Sequence, residues 1–522
     1  MDGRVIRNPV LPGFHPDPSI LRVGEDYYLA TSTFEWYPGV RVHHSRDLVH
    51  WRPLGGVLTD RRLLDLVGVP DSGGVWAPDL TYHDGLFHLV YGVMDNYAFG
   101  FKDITNFLIT APSIEGPWSD PVRLPGRGFD ASLYHEDGRS WLLSMVFDSR
   151  PGRGFAGIEL RPLDGGEPEL ILPNRDVTEG PHLYKADGWY YLMVAEGGTG
   201  YRHGITVLRS RSMSGPYEED PAGPMLTSRH DPGLALQKAG HGCLVRTRTG
   251  EWYVAHLAAR PYPGGTCVLG RETALQRVTW VDGWPRVPGG VPAVEVPAPG
   301  SVADSPDLTD AQPLGVLGPE WSTLRRPASP DWLTAAPGGL TIQGGQSPYG
   351  LRSPSLVARP VTASTCSLEA VMRFTPGNVH QTAGITAYYN SRNWHYLALT
   401  SDGLVLTTSD RGTRTERRLG GPAGAEGAEG AEVRLRVEFD GPVVRFFGAH
   451  HDPELFGAHH GRELVHLGPE LDATILSDEH ADEHIDGHVR AFGFTGAFVG
   501  FWVQDLAGEG CAARFEQISY RT

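Results

Sequence analysis

Five stretches of this chain repeat one hydrophobic pattern. Each opens on a titratable residue, continues through apolar positions, turns at a glycine and returns through aromatic ones. Asp17 leads through Ile20 and Leu21 to a turn at Gly24-Glu25 and then Tyr27-Tyr28-Leu29. Asp79 leads to a turn at Asp84-Gly85 and Phe87-His88-Leu89-Val90-Tyr91. Asp130 leads to Asp137-Gly138 and Trp141-Leu142-Leu143. Glu179 leads to Asp187-Gly188 and Trp189-Tyr190-Tyr191-Leu192. His241 leads to Thr249-Gly250 and Trp252-Tyr253-Val254. A period of roughly 50–60 residues marks a repeat architecture. Strand, glycine turn and aromatic strand is hairpin grammar. Such units stack as the blades of a β-propeller whose innermost strands line a central channel.

The titratable residue stands at the same end of the first strand in every unit. With those strands innermost, Asp17, Asp79, Asp130, Glu179 and His241 converge at one mouth of the channel. Carboxyls crowded around one axis desolvate and repel one another, so their pKa values spread apart. That spread is what acid–base chemistry on a neutral substrate needs. The bland alternative is five strand-start residues that cap turns, and their common register argues against it. Trp76, three residues before Asp79, belongs near the same mouth. Phe34 lies in a loop, where it is either a core plug or a wall for a sugar ring. Arg271, in Leu269-Gly270-Arg271-Glu272-Thr273, is either a surface ion-pair partner or a fixed guanidinium that binds hydroxyls and holds a carboxylate ionised.

The repeat stops near residue 290. Residues 291–315 are rich in Pro, Ala and Gly and read as a linker. From 316 to 522 short strands alternate without a period, as in Cys366-Ser367-Leu368-Glu369-Ala370-Val371-Met372, which predicts a β-sandwich. The expected fold is therefore all-β, with a five-bladed β-propeller over 1–290 and a jelly-roll-like sandwich over 316–522. Residues 421–432 are a Gly/Ala/Glu repeat expected at a solvated loop tip. His450, His451, His459, His460, His480, His484 and His488 invite a metal reading. His480 and His484 have i, i+4 spacing, but the surroundings read as loop and no cysteine joins them.

Composition narrows the function. The net charge is −17, from 45 Lys+Arg against 62 Asp+Glu, which argues against nucleic acid and anionic membranes as partners. A sugar is indifferent to it. No apolar run is long enough to span a membrane, and the N-terminus shows no signal-peptide pattern, so cytoplasmic action on an imported substrate is expected. Cys243, Cys267, Cys366 and Cys511 have no metal spacing and are expected to be reduced.

The stretches 15–20, 34–40, 75–80, 130–133, 179–185, 240–242, 270–273 and 494–500 together resemble glycoside hydrolase family 43 nearly end to end. The closest resemblance is to its two-domain β-xylosidases. That resemblance implies an inverting exo-hydrolase that releases D-xylose from the non-reducing end of β-1,4-xylo-oligosaccharides, with α-L-arabinofuranosidase side activity. It implies Asp17 as general base, Glu179 as general acid, Asp130 as the group that tunes and orients the acid, and Arg271 as a substrate contact. It places His241 at the channel axis, where some members hold a calcium ion and others only water; no cofactor is required. Asp130, as a neighbouring carboxylate, is expected to raise the pKa of Glu179. The chain departs from the family in Ala131, where proline is commoner. Rival readings are a main α-L-arabinofuranosidase activity on arabinosyl oligosaccharides and a non-catalytic sugar-binding propeller. A homo-oligomer is expected. The glycine-punctuated stretch 493–501 is expected to close the open propeller mouth, with Phe494 or Phe498 forming a substrate wall near Phe34 and Trp76.

Overall fold

The turns show why these strands pair. In Asp84-Gly85, Asp137-Gly138 and Asp187-Gly188 both residues have positive φ: 49° and 81°, 49° and 72°, 50° and 74°. This two-residue hairpin turn matches the twist of its strands, and glycine takes its second position without steric cost. A computed structural model describes residues 4–300, 317–420, 431–449 and 463–522. Residues 301–315 of the expected linker, residues 421–430 of the expected loop tip, and His450, His451, His459 and His460 lie outside the described residues; Ala431 and Glu432, expected in that loop tip, begin the strand Ala431–Asp440.

The innermost strands are Ser19–Val23, Asp79–His83, Gly128–Glu136, Glu179–Ala186 and Gln237–Arg246. Each touches the next and the fifth touches the first, so the ring of five blades closes. The outer strands of every blade add antiparallel to these. The start of the chain fastens the closure. Val5–Arg7 pairs antiparallel with Glu295–Pro297, and the Asn8 side chain donates to Leu275 O at 2.7 Å and accepts from Leu275 N at 2.8 Å. Residues 295–297, expected in the linker, are therefore a strand. Their pairing is made by backbone groups, to which composition is blind.

The C-terminal half is a sandwich of one seven-stranded and one eight-stranded sheet. Thr365–Phe374 shows the expected alternation: Cys366, Leu368, Ala370 and Met372 point into the core between the sheets. The outer face of the eight-stranded sheet is also apolar. Tyr388, Trp394, Phe498 and Trp502 pack with Trp36 and Phe14 of the propeller. That sheet even ends on a propeller strand, since Trp36–Tyr37 pairs with Ser322–Leu324. Next to this seam the fully buried Arg325 donates to Asp71 Oδ1 and to Val69 O, both at 2.7 Å. Ser391 Oγ donates to the other Asp71 oxygen at 2.5 Å. The two halves thus share a sheet, an apolar core and a buried ion pair.

Candidate active site

Three innermost strands begin with a bulge. Asp130 and Ala131 together face one residue of the next strand, as do Gly180 and Pro181, and His241 is the extra residue between Gly240 and Gly242. Asp130, Gly180 and His241 have φ of 52°, 56° and 48°. A bulge with a left-handed residue bends the strand and re-aims its side chains, here toward one end of the channel. Asp17, just ahead of the first blade, has φ of 54°. Left-handed conformations at residues other than glycine cost free energy and concentrate at functional sites.

The second blade lacks such a bulge at its titratable residue. Asp79 pairs in regular register with Val90. Its carboxyl accepts from Ser19 Oγ at 3.1 Å and from Leu133 N at 2.8 Å, tying the first and third blades together. Asp79 therefore does not join the group at the mouth, contrary to the expectation from register.

Asp17, Asp130, Glu179, His241 and Arg271 line one cavity of about 280 Å³. Arg271, which the sequence left open between surface and site, is buried. Its Nη1 donates to Asp17 Oδ1 at 2.9 Å and to Thr199 Oγ1 at 3.1 Å, and its Nε donates to Phe494 O at 3.1 Å. Ser32 Oγ donates to Asp17 Oδ2 at 2.7 Å. Burial by itself pushes Asp17 up, but Arg271, His241 and the Ser32 hydroxyl outweigh it and hold the carboxyl below its usual value. Glu179 moves the other way. Burial pushes it up to about 7, with Asp17 adding to the rise and Lys102 and Arg271 opposing it. Asp130 is raised as well, first by burial and then by Glu179, while accepting from Gly180 N at 3.1 Å. The expected cause of the raised Glu179 is repulsion from Asp130; in the structure burial is the largest cause, and the carboxylate that adds to it is Asp17.

Aromatic rings wall the cavity, Phe34, Trp76 and Phe494 among them. Phe494 comes from the sandwich, with its ring 5.8 Å from Phe34 and 5.9 Å from Trp76. The backbone turn that carries it is pressed against the propeller. A Cβ on Gly496 would stand 2.8 Å from Gly270 Cα and Leu269 O, so only glycine permits this approach. Phe498 does not reach the cavity. It is fully buried and stacked on Trp36 at 4.1 Å, because the strand Phe498–Asp505 begins there and pairing turns its ring to the seam between the halves.

His241 stands with its Nδ1 4.0 Å from Asp17 Oδ1, and burial pulls its pKa down to about 4. Calcium takes six to eight oxygen ligands, whereas the groups acting on Asp17 here are Arg271 and the imidazoles of His241 and His203. Among the described residues no three His, Cys, Asp or Glu side chains are arranged to hold a metal, and Asp17, the carboxylate beside His241, is already paired with Arg271. His480 and His484 do not share a helix face. The helix stops at Ala481, His480 pairs with Asp410 at 2.6 Å, and His484 lies in the strand Glu483–Ile485 at the cavity.

Lys102, Phe129, Phe155 and Phe492 also stand in the cavity wall, and none of them opens the repeated pattern. The Lys102 ammonium sits among the rings of Trp76, Phe129, Phe147 and Phe492 at 5.0–5.4 Å from their centroids, and desolvation lowers its pKa to about 8. Phe492 had a signal, two residues before Phe494 in Phe-Gly-Phe. Lys102 had none, since it lies in the link just ahead of the strand Asp103–Ala111 and matches nothing in the repeat.

Comparison with known proteins covers both halves. The model of glycosyl hydrolases family 43 matches residues 6–285, and that of the beta xylosidase C-terminal concanavalin A-like domain matches residues 314–521. The xylosidase/arabinosidase 43B of Humicola insolens is 42% identical, covering 99% of this chain and 97% of its own. A xylan 1,3-beta-xylosidase of Vibrio sp is 39% identical, covering 99% of both chains. The crystal structure of a xylan beta-1,4-xylosidase from Bacillus halodurans C-125 superposes with a TM-score of 0.89 at 43% identity, covering 99% of this chain and 100% of that one.

Proposed function

The chain belongs to glycosyl hydrolase family 43, a family of inverting glycosidases, and from that premise we propose that it is an exo-acting β-xylosidase. It releases D-xylose from the non-reducing end of β-1,4-xylo-oligosaccharides and has a secondary α-L-arabinofuranosidase activity. The observation that carries this reading is the opposite displacement of two carboxyls in one aromatic-walled cavity: Asp17 held down by Arg271, Glu179 pushed up by burial. Near neutral pH Asp17 is then ionised while Glu179 retains its proton over much of the population.

Inverting hydrolysis uses both states in one step. Asp17 takes a proton from a water molecule as that water attacks the anomeric carbon. Glu179 gives its proton to the glycosidic oxygen as the bond to the leaving sugar breaks. Arg271 keeps Asp17 anionic and its unpaired Nη2 is available to a sugar hydroxyl. Asp130, held by the Gly180 N–H beside Glu179, orients the acid and is itself raised by its charge. Both proton transfers use side-chain carboxyls, so the step needs no cofactor. Phe494 narrows the propeller mouth to a pocket, as removal of one sugar at a time requires. Four unpaired cysteines support a reducing, cytoplasmic setting.

The names of the relatives support either sugar and either xylosyl linkage, which makes the test direct. Purified protein is assayed on β-1,4-xylobiose, β-1,3-xylobiose and nitrophenyl α-L-arabinofuranoside, with proton NMR of the first product. Highest kcat/KM on β-1,4-xylobiose with α-xylose appearing first is expected. A preference for the arabinoside, or β-xylose as the first anomer, overturns the reading.

A further inference from the structure

Among the described residues Phe99 and Phe101 are the two most exposed aromatic side chains, at 70% and 55%, and the chemistry above uses neither. They stand on a short turn held at both ends. At one end Tyr97 is buried, its ring 4.6 Å from Phe492 and its hydroxyl donating to Asp71 O. At the other end Lys102 enters the cavity wall between four rings. Between these anchors Phe99 and Gly100 take φ of 55° and 81°, lifting Phe99 and Phe101 into solvent. A positive φ is unfavourable for a bulky residue, so its presence at Phe99 points to a use. On the facing side the sandwich hairpin puts the His488 ring 6.0 Å from Phe99 and carries His484 into the cavity lining.

We propose that Phe99 and Phe101 form a stacking platform outside the cavity for the leaving-group xylosyl units of an oligosaccharide. The platform is continuous with the cavity through Lys102. A cavity of about 280 Å³ is at the small end for ligand sites, so the rest of a chain bound by its non-reducing end must leave through the mouth. Xylopyranose carries no hydroxymethyl group, and its C–H face is flat enough to lie on an aromatic ring. This rests on the β-xylosidase reading.

The test compares wild type, F99A/F101A and F99W/F101W on β-xylosyl fluoride, xylobiose and xylotetraose. Fluoride leaves without occupying any site beyond the cavity. Both positions are exposed, so Tm is expected to stay at the wild-type value. The alanine variant should keep kcat/KM on the fluoride within about two-fold and lose about five- to ten-fold on xylotetraose, mainly through KM, with tryptophan restoring it. Equal loss on fluoride and xylotetraose, or no loss on either, overturns the platform alone. If wild type cleaves none of the three, the β-xylosidase reading falls and the platform with it.

Discussion

At the scale of single residues, the site turns on one proton. Glu179 has a folded-state pKa raised to about 7 from an ordinary 4.5. A carboxyl raised in this way contributes its stability fully below the unfolded value and loses it as pH rises through the folded one. Wild type should therefore lose stability between pH 4.5 and 7 on this account, and Glu179→Gln, which cannot ionise, should not. The variant is expected to melt a few degrees above wild type at pH 8 and at the wild-type temperature at pH 4. Its kcat/KM on xylobiose should fall about 10²–10⁴-fold, with a much smaller loss on β-xylosyl fluoride, whose leaving group needs less help from an acid. For wild type, kcat/KM should decline above about pH 7 as Glu179 ionises, and hold on the acid side to below the usual carboxylate range because Asp17 is depressed. An alkaline limb that persists in the Gln variant would place that proton elsewhere. The convergence of Asp17, Asp130, Glu179 and His241 on one cavity was legible in sequence because all four open the same hydrophobic pattern of one repeat. Asp79 matched the same pattern and was misread, since sequence register carries no sign of which strands start with a bulge.

At the scale of elements, the segment 492–498 divides two tasks within seven residues. Phe492 and Phe494 precede the strand and line the cavity; Phe498 begins the strand and fills the seam. An apolar run this short has no periodicity of its own, so only pairing with Leu356–Pro360 and Gln381–Asn390 decides which rings face where. Phe498→Ala should cost about 3–5 kcal/mol of stability, the usual range for deleting a buried phenylalanine ring, with near-normal kinetics in the folded fraction. Phe494→Ala should leave Tm nearly unchanged and raise KM or lower kcat. Urea melts and kinetics on both variants check this, and a reversal of the two phenotypes would place the substrate wall at Phe498 instead.

At the scale of the whole molecule, the halves are expected to unfold together. They share the strand pairing of Trp36–Tyr37 with Ser322–Leu324, the apolar seam, and the buried Arg325–Asp71 pair. Removing one partner of a buried pair leaves an uncompensated charge and costs about 3–5 kcal/mol. Arg325→Met should therefore lower Tm in one cooperative transition, read identically by far-UV and near-UV signals. Two separated transitions in wild type would show that the seam does not couple the halves. Sequence by itself determined the five-fold repeat, the place of the glycine turn in every blade, the change to an aperiodic sandwich pattern and the main titratable groups. Those features are carried by local periodicity and by turn residues with special φ. Tertiary structure alone decided that Arg271 is buried against Asp17, that Lys102 enters an aromatic cage, that residues 295–297 close the ring and that Phe494 rather than Phe498 reaches the cavity. Each of these depends on contacts between residues far apart in the chain, and burial, which sets the pKa values, exists only once those contacts exclude water.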